Sequence, residues 1–382
     1  MPHTKRLSTA FWVVMATTLA AYATKLFAIV RGLDHLRPGV STDEPTVSVI
    51  VPARNEEDNI WRCLDCVLNQ DYPSYLYEII VVDDRSVDST AEIVEKMRAE
   101  HPTIRLVRID HVPEGVAPKK HAITRGIERA LGNIIVTTDA DCIQPKGWLS
   151  GIVRYFEPDV GVVAGHTRYT EPQSWFQGLQ AIDYLSHRII SAGAIGNGDI
   201  ISGTGSNLAY RADVWREVDG FGDSNALVSG DDDLFLHRVK RLTKWKIVAA
   251  TTEDTYVETE PVPSVNAFLR QRARWASKLT GYNIGLRPFL FAAGTLMLGL
   301  MVVLPLTVLM PRRMAAFIPL IGAKIAVDYR VMSKGTEKLG QRYLMKYFWV
   351  GDLIHSYYIM ISAVWGILGR FAWKGTVYRR RA

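Results

Sequence analysis

Four short apolar runs constrain what residues 47–139 can fold into. VSVIVPA (47–53), EIIVVDD (78–84), IRLVRI (104–109) and NIIVTTD (133–139) are too short for ordinary helices and rich in β-branched residues. They read as strands buried on both faces. Helical patterns separate them, one over 88–99 with Asp88 or Ser89 as cap and Glu92 behind it, another over 121–131. This alternation predicts an α/β domain with a mostly parallel sheet and right-handed crossovers. Ligands of such sheets collect at the carboxyl ends of strands. The chain places polar residues there: Asn55 and Glu56 after the first run, Asp83 and Asp84 ending the second, Asp139 and Asp141 around the end of the fourth.

The flanks are apolar. Residues 11–30 (FWVVMATTLAAYATKLFAIV) are long enough to cross a bilayer, with Lys25 able to snorkel. The LAAYA stretch also resembles a signal-peptide cleavage site; an uncleaved anchor is the expectation. The expected organisation is an anchor and linker over 1–45, an α/β domain over 46–285 and a membrane region over 286–382 with a basic tail. Apolar segments in that region cover about 288–310, 314–327 and 348–369. The last carries Asp352 and His355 and has basic residues on both sides, so a simple crossing conflicts with the positive-inside rule and the topology stays open.

The net charge of +6 is concentrated at the two ends, from His3, Lys5 and Arg6 to Arg379, Arg380 and Arg381. That distribution suits a membrane surface, and no nucleic-acid-binding pattern accompanies it. Three cysteines make no disulfide framework. Cys63 and Cys66 have metal-type spacing but no second pair, so helix packing is the expected role.

Several residue groups can carry chemistry. Asp139 and Asp141, at i and i+2, can turn toward one hard cation, Mg²⁺ or Mn²⁺; a solvated loop has the same pattern. Asp83 and Asp84 can accept from a base or a ribose hydroxyl, or cap the next helix. Lys119 and Lys120 can meet a phosphate or simply be solvated. Gly230-Asp231-Asp232-Asp233 offers a general base, or acids favourable at a helix start. Gln271-Arg272-Ala273-Arg274-Trp275 can grip a diphosphate and stack on a sugar, or form a juxtamembrane belt.

The order of these groups carries more than any one of them. SVIVPARNEE, VVDDRSVDST, K-x-x-A at Lys119–Ala122, DAD, GDD and Q-x-x-R-W together resemble the motif series of the inverting family 2 glycosyltransferases. The resemblance covers roughly residues 46–280 and is closest to membrane-integrated members such as ceramide glucosyltransferases and hyaluronan and cellulose synthases. It implies a GT-A fold, Rossmann-like, flanked by transmembrane helices. It further implies that Pro52, Ala53 and Glu56 line the nucleoside pocket and that Asp83 and Asp84 hold uracil or ribose. Lys119 would meet the diphosphate, Asp139 the donor near the metal, and Asp141 the metal itself. Asp232, preceded by Asp231, would be the catalytic base. Gln271, Arg274 and Trp275 would close around diphosphate and acceptor, and GTGSNLAYR (203–211) resembles an acceptor-side stretch. Thr124 stands where the family often has Asn, Asp231 replaces the commoner Glu, and the extra Asp233 leaves the base uncertain by one position.

The implied activity is direct displacement with inversion. A sugar moves from a nucleoside-diphosphate donor, with UDP the expected nucleoside, to the hydroxyl of a lipid or glycan acceptor. The implied setting is the inner membrane, in contact with membrane lipids, with the catalytic domain cytoplasmic and no nucleic acid partner. A processive polysaccharide synthase and a non-catalytic nucleotide-sugar-binding membrane protein are the alternatives. A nucleotidyltransferase would want a glycine-rich loop where this chain has ARNEED.

Overall fold

The computed structural model describes residues 2–227, 230–276, 287–309, 317–368, 371–373 and 376–378. The chain opens with α1 (Pro2–His35), β1 (Val47–Ala53), α2 (Ile60–Leu68), β2 (Tyr77–Asp84), α3 (Thr90–Glu100) and β3 (Ile104–Ile109). Next come α4 (Pro118–Ile127), β4 (Ile134–Thr137), α5 (Trp148–Val153), β5 (Val160–Ala164), β6 (Thr167–Tyr169) and α6 (Trp175–Gly196). Then follow β7 (Leu208–Arg211), α7 (Ala212–Glu217), α8 (Asp233–Leu242), β8 (Lys246–Ala249), β9 (Val257–Thr259), α9 (Val265–Ala276) and α10 (Arg287–Leu309). Helices Ile318–Lys338 and Phe348–Leu368 follow, then a short antiparallel ribbon.

Two compact units result. One comprises residues 35–172 and 194–261, the other residues 1–34, 173–193 and 262–382. The first is the α/β unit. Its seven-stranded sheet runs β3-β2-β1-β4-β7-β5-β8. The strands from β3 to β4 are parallel, β7 runs antiparallel to β4 and β5, and β8 is parallel to β5. The sheet is therefore mostly parallel, as a GT-A fold requires, with one reversed strand in its middle. β6 and β9 pair separately.

The first and third apolar runs form strands with the expected bounds. β4 is shorter than 133–139 and stops at Thr137, because the chain turns at Asp139, whose carbonyl accepts from Cys142 N–H at 3.1 Å. α4 begins at Pro118, three residues before the expected start. Proline suits a first helical turn because its missing N–H is not needed there. Lys119 and Lys120 thus sit in the first turn of α4.

The core explains the cysteines. α2 buries Ile60, Cys63, Leu64 and Val67, an i, i+3, i+4, i+7 stripe against the sheet. Cys142 is buried in the same core, and burial pushes both its thiol and that of Cys63 up. C-x-x-C here is packing.

The second unit is helical, and its boundary differs from the one expected at 285. α9 and most of α6 belong to it. On α9 the Arg272 Nε donates to Asp183 of α6 at 2.7 Å, and Tyr358 of the last long helix donates to the same carboxylate. Among the described residues, one helical stretch is long and apolar enough to cross a membrane: Trp12–His35, mean hydropathy 1.7. Within α10, Pro288–Val302 is a shorter apolar stretch. The other two expected C-terminal segments do not reach that measure among the described residues. Helix Ile318–Lys338 carries Lys324, ion-paired to Asp328 and Asp352. Residues 310–316 and the basic tail 379–382 lie outside the described residues.

Candidate active site

The site is built on the carboxyl ends of β1, β2 and β4. Two loops there are stapled to each other. Asn55 N–H donates to Ser86 Oγ at 3.0 Å, and Val87 N–H returns to Asn55 Oδ1 at 2.9 Å. Glu56 N–H donates to Thr90 Oγ1 at 2.8 Å, and Glu57 N–H to Asp88 at 3.1 Å. Asn55 (φ 52°) and Arg85 (φ 59°) both adopt left-handed backbone. For arginine that conformation is costly, and such strain concentrates at functional sites.

Asp83 and Asp84 are buried in this rim, at 6% and 4% exposure. Asp84 is held by Arg85 Nε at 2.8 Å, with Arg54 at 3.9 Å, and Asp83 accepts from Ser86 N–H at 3.3 Å. Asp88, not either of these, anchors the start of α3 by accepting from Thr90 N–H at 3.1 Å. Ala53 lies in the apolar core, and Pro52 is half-buried. Glu56 accepts from Asn59 Nδ2 at 3.0 Å.

Lys119 joins the two halves of the site. Its Nζ lies 2.7 Å from Asp139 Oδ1 and 3.1 Å from Asp231 Oδ2. Burial opposes its charge, but the two carboxylates outweigh burial and hold its pKa well above the ordinary value. Lys120 has a different role: it is fully buried and donates to Ser224 O at 2.6 Å. Two carboxylates, Asp139 and Asp231, thus share one ammonium, a surplus of one negative charge. Burial first, then the charges of Asp139 and Glu56, push the Asp141 carboxyl up to about 6.

That donor set fits a divalent cation. Among the described residues no three His, Cys, Asp or Glu side chains gather as a preformed metal cage. Mg²⁺ and Mn²⁺ sites that serve phosphate chemistry use one or two carboxylates and take the remaining oxygens from substrate and water. Asp139 and Asp141 match that pattern.

The three acids before α8 divide sharply. Asp231 faces Lys119. Asp232 caps α8, its Oδ1 accepting from Asp233 N–H at 2.7 Å. Asp233 is fully buried and accepts from Gly203 N–H at 2.5 Å. Of the three, Asp231 is thus the acid that stands beside the ammonium of Lys119. Gly205, within the GTGSNLAYR stretch, makes room for it: a Cβ there would meet Asp231 Oδ2 at 2.4 Å. Thr137 Oγ1 fixes that loop by donating to Gly205 O at 2.9 Å.

The stretch 203–211 is otherwise structural. Asn207 is fully buried, donates to His166 O at 2.9 Å and Thr255 O at 2.8 Å, and accepts from Trp148 Nε1 at 3.0 Å. Arg211 donates to the backbone at Val160 (2.8 Å) and Glu157 (3.0 Å).

Gln271, Arg274 and Trp275 belong to α9 in the helical unit. Gln271 Oε1 accepts from Arg272 at 2.7 Å, and Trp275 lies 4.1 Å from the Arg272 guanidinium in a cation–π contact. Trp275 also packs beside Tyr184 and His187.

The profile of the family described as "Glycosyltransferase like family 2" matches residues 45–277. Among curated proteins, glycosyltransferase AglE of Haloferax volcanii is 31% identical over 208 residues, 52% of this chain and 62% of that protein. The β-monoglucosyldiacylglycerol synthase of Synechocystis is 28% identical over 278 residues, 69% of this chain and 55% of that one. A poly-β-1,6-N-acetyl-D-glucosamine synthase of Staphylococcus epidermidis is 26% identical over 258 residues, 64% of this chain and 56% of that one. The chain thus spans 55–62% of the length of these relatives. The fold is shared with mannosyltransferase PcManGT from Pyrobaculum calidifontis, solved with GDP-Man and Mn²⁺. Its TM-score is 0.58 at 21% identity, over 92% of this chain and 98% of that one. With the profile matched over more than half its length, across the whole series from the first strand to Q-x-x-R-W, the chain belongs to the family 2 glycosyltransferases.

Proposed function

We propose that this chain is a membrane-anchored inverting glycosyltransferase that moves one sugar from a nucleoside-diphosphate donor to the hydroxyl of a lipid. The observation that carries the reading is the Asp139–Lys119–Asp231 bridge. It sets a phosphate-binding cation between a metal-type carboxylate and a carboxylate suited to act as base.

Asp83 and Asp84 hold the nucleoside, and Lys119 meets the diphosphate as a point charge. Asp139 and Asp141 would hold Mg²⁺ or Mn²⁺, which would supply charge neutralisation for the diphosphate. Asp231 takes the proton of the acceptor hydroxyl as its oxygen bonds to the anomeric carbon. The bond from that carbon to the diphosphate oxygen breaks, its electron pair leaves with the diphosphate, and the configuration inverts. Asp232 and Asp233 keep α8 and the 203–205 loop in place. α1 anchors the chain with the α/β unit on the cytoplasmic side.

The diacylglycerol-glucosylating relative supports a lipid acceptor, and the poly-N-acetylglucosamine synthase keeps a polymer as the second reading. UDP is the first donor nucleoside to test and GDP the next, since PcManGT binds GDP-Man. Incubation of the purified chain with labelled nucleotide sugars and lipid extract tests the reading. Lipids gaining one sugar support it; a polymeric product contradicts it.

A further inference from the structure

We infer that a cleft in the helical unit, walled by α1, α6 and helices Ile318–Lys338 and Phe348–Leu368, binds a neutral, hydroxyl-bearing lipid and rejects lipid phosphates. The inference rests on the lipid-acceptor reading and narrows the class of that lipid.

The cleft has two kinds of wall. One is apolar, with Leu26, Ile190, Val331 and Phe348. The other carries the carboxylates of Asp183, Asp328 and Asp352. Among the described residues no lysine or arginine lines it. Two cations stand beside the carboxylates and are engaged by them. Lys324 Nζ lies 2.6 Å from Asp352 and 2.8 Å from Asp328. Arg272 Nε lies 2.7 Å from Asp183 Oδ2. Tyrosine hydroxyls complete the shell, Tyr22 donating to Asp328 at 2.8 Å and Tyr358 donating to Asp183.

Three carboxylates to two cations leave the polar wall with an excess of negative charge and of acceptors. A phosphate headgroup would lie against like charge with no cation facing it. An uncharged alcohol only has to donate, and a carboxylate is a strong acceptor for it. The apolar wall suits a hydrocarbon chain, the usual partition of a small-molecule site into apolar bulk and a few placed polar groups.

The test uses the full chain in nanodiscs and a diacylglycerol carrying a diazirine on one acyl chain. Crosslinks should map to peptides containing Ser186–Ile190 and Val331–Met332. Dioleoylglycerol should compete at least about tenfold better than dioleoyl phosphatidate. V331W should block labelling while the melting temperature and circular dichroism hold. D328N, which balances the charge count, should narrow the preference severalfold. Equal competition by phosphatidate, stronger competition by an amine-bearing amphiphile, or undiminished labelling of V331W would each overturn the inference. Sugar transfer to lipid is measured on the same preparation. Transfer without labelling removes the cleft as the site and leaves the proposed function standing. Labelling without transfer removes the proposed function and leaves the selectivity of the cleft.

Discussion

Asp231 stands 3.1 Å from Lys119, on the same ammonium that Asp139 contacts at 2.7 Å. Asp231 precedes α8 and Asp139 follows β4, so residues more than ninety positions apart in the chain meet on one cation. Asp232 and Asp233 are the natural controls. D232A should lower stability by about 1 kcal/mol, the usual worth of a helix cap, and keep transfer. Urea melts and initial rates on one preparation separate the two effects. Loss of turnover in D232A with unchanged stability would return the base to Asp232.

Gly205 tests the room around Asp231. A methyl group there would stand 2.4 Å from Asp231 Oδ2, so G205A should displace that carboxylate. We expect kcat to fall about a hundredfold with donor KM little changed. A wild-type rate would mean that the loop yields freely and that Asp231 is not held in place.

Asp141 gives a pH and metal prediction. Its folded pKa, pushed up to about 6, exceeds the ordinary carboxylate value of 3.8. The metal-free folded chain therefore binds the proton more tightly than the unfolded chain. This contribution favours folding at low pH and is lost as pH rises through about 6. Mn²⁺ should restore stability above that pH and add little at pH 5. Melting curves between pH 5 and 7.5, with and without Mn²⁺, read this directly; D141N should flatten the difference. A Mn²⁺ shift equal at both ends of the range would contradict it.

Asn207 should behave as a structural residue. N207A removes the partner of Trp148 Nε1 and of Thr255 O in a buried place, and takes one of two donors from His166 O, which keeps Val257 N–H. A loss of about 3 kcal/mol or more is expected in denaturant titration. A stable variant with a raised acceptor KM would restore the acceptor role that the motif resemblance implied.

The cysteines provide a further check. Thiols raised by burial hold less thiolate at a given pH, so Cys63 and Cys142 should resist maleimide at pH 8 in the folded chain. Cys66, half-buried and raised less, should react slowly and faster with rising pH. Rapid labelling of Cys63 at pH 7 would contradict the packing role.

Much of the α/β unit was legible because burial on both faces leaves a plain signature. β1 and β4 are buried along almost their whole length, and the acids that end β2 and follow β4 stand where ligands of parallel sheets bind. β7 and β8 were not legible. LAYR and KIVA are four residues long, and their strand character comes from neighbours supplied by the fold. The acid that faces Lys119 was legible only to within three positions, since Asp231, Asp232 and Asp233 are chemically alike. Burial of Asp233 and capping by Asp232 separate them, and both are tertiary facts. Gly205 was legible as part of GTGSNLAYR, but its closeness to Asp231 was not, because its contribution is an absent side chain. The helical unit was legible only in part, because composition does not show that Lys324, Asp328 and Asp352 meet in an ion-paired cluster.

One comparison tests the central claim most directly. Purified wild-type chain and D231N are incubated with a nucleotide sugar, Mn²⁺ and lipid extract, and the lipids are analysed by mass spectrometry while donor affinity is read by calorimetry. The account predicts a lipid heavier by one sugar with wild type, its near-complete loss with D231N, and donor affinity within about threefold between the two, as a base that acts in the transition state requires. Equal product from D231N, or no sugar-bearing lipid with any donor tried, would contradict it.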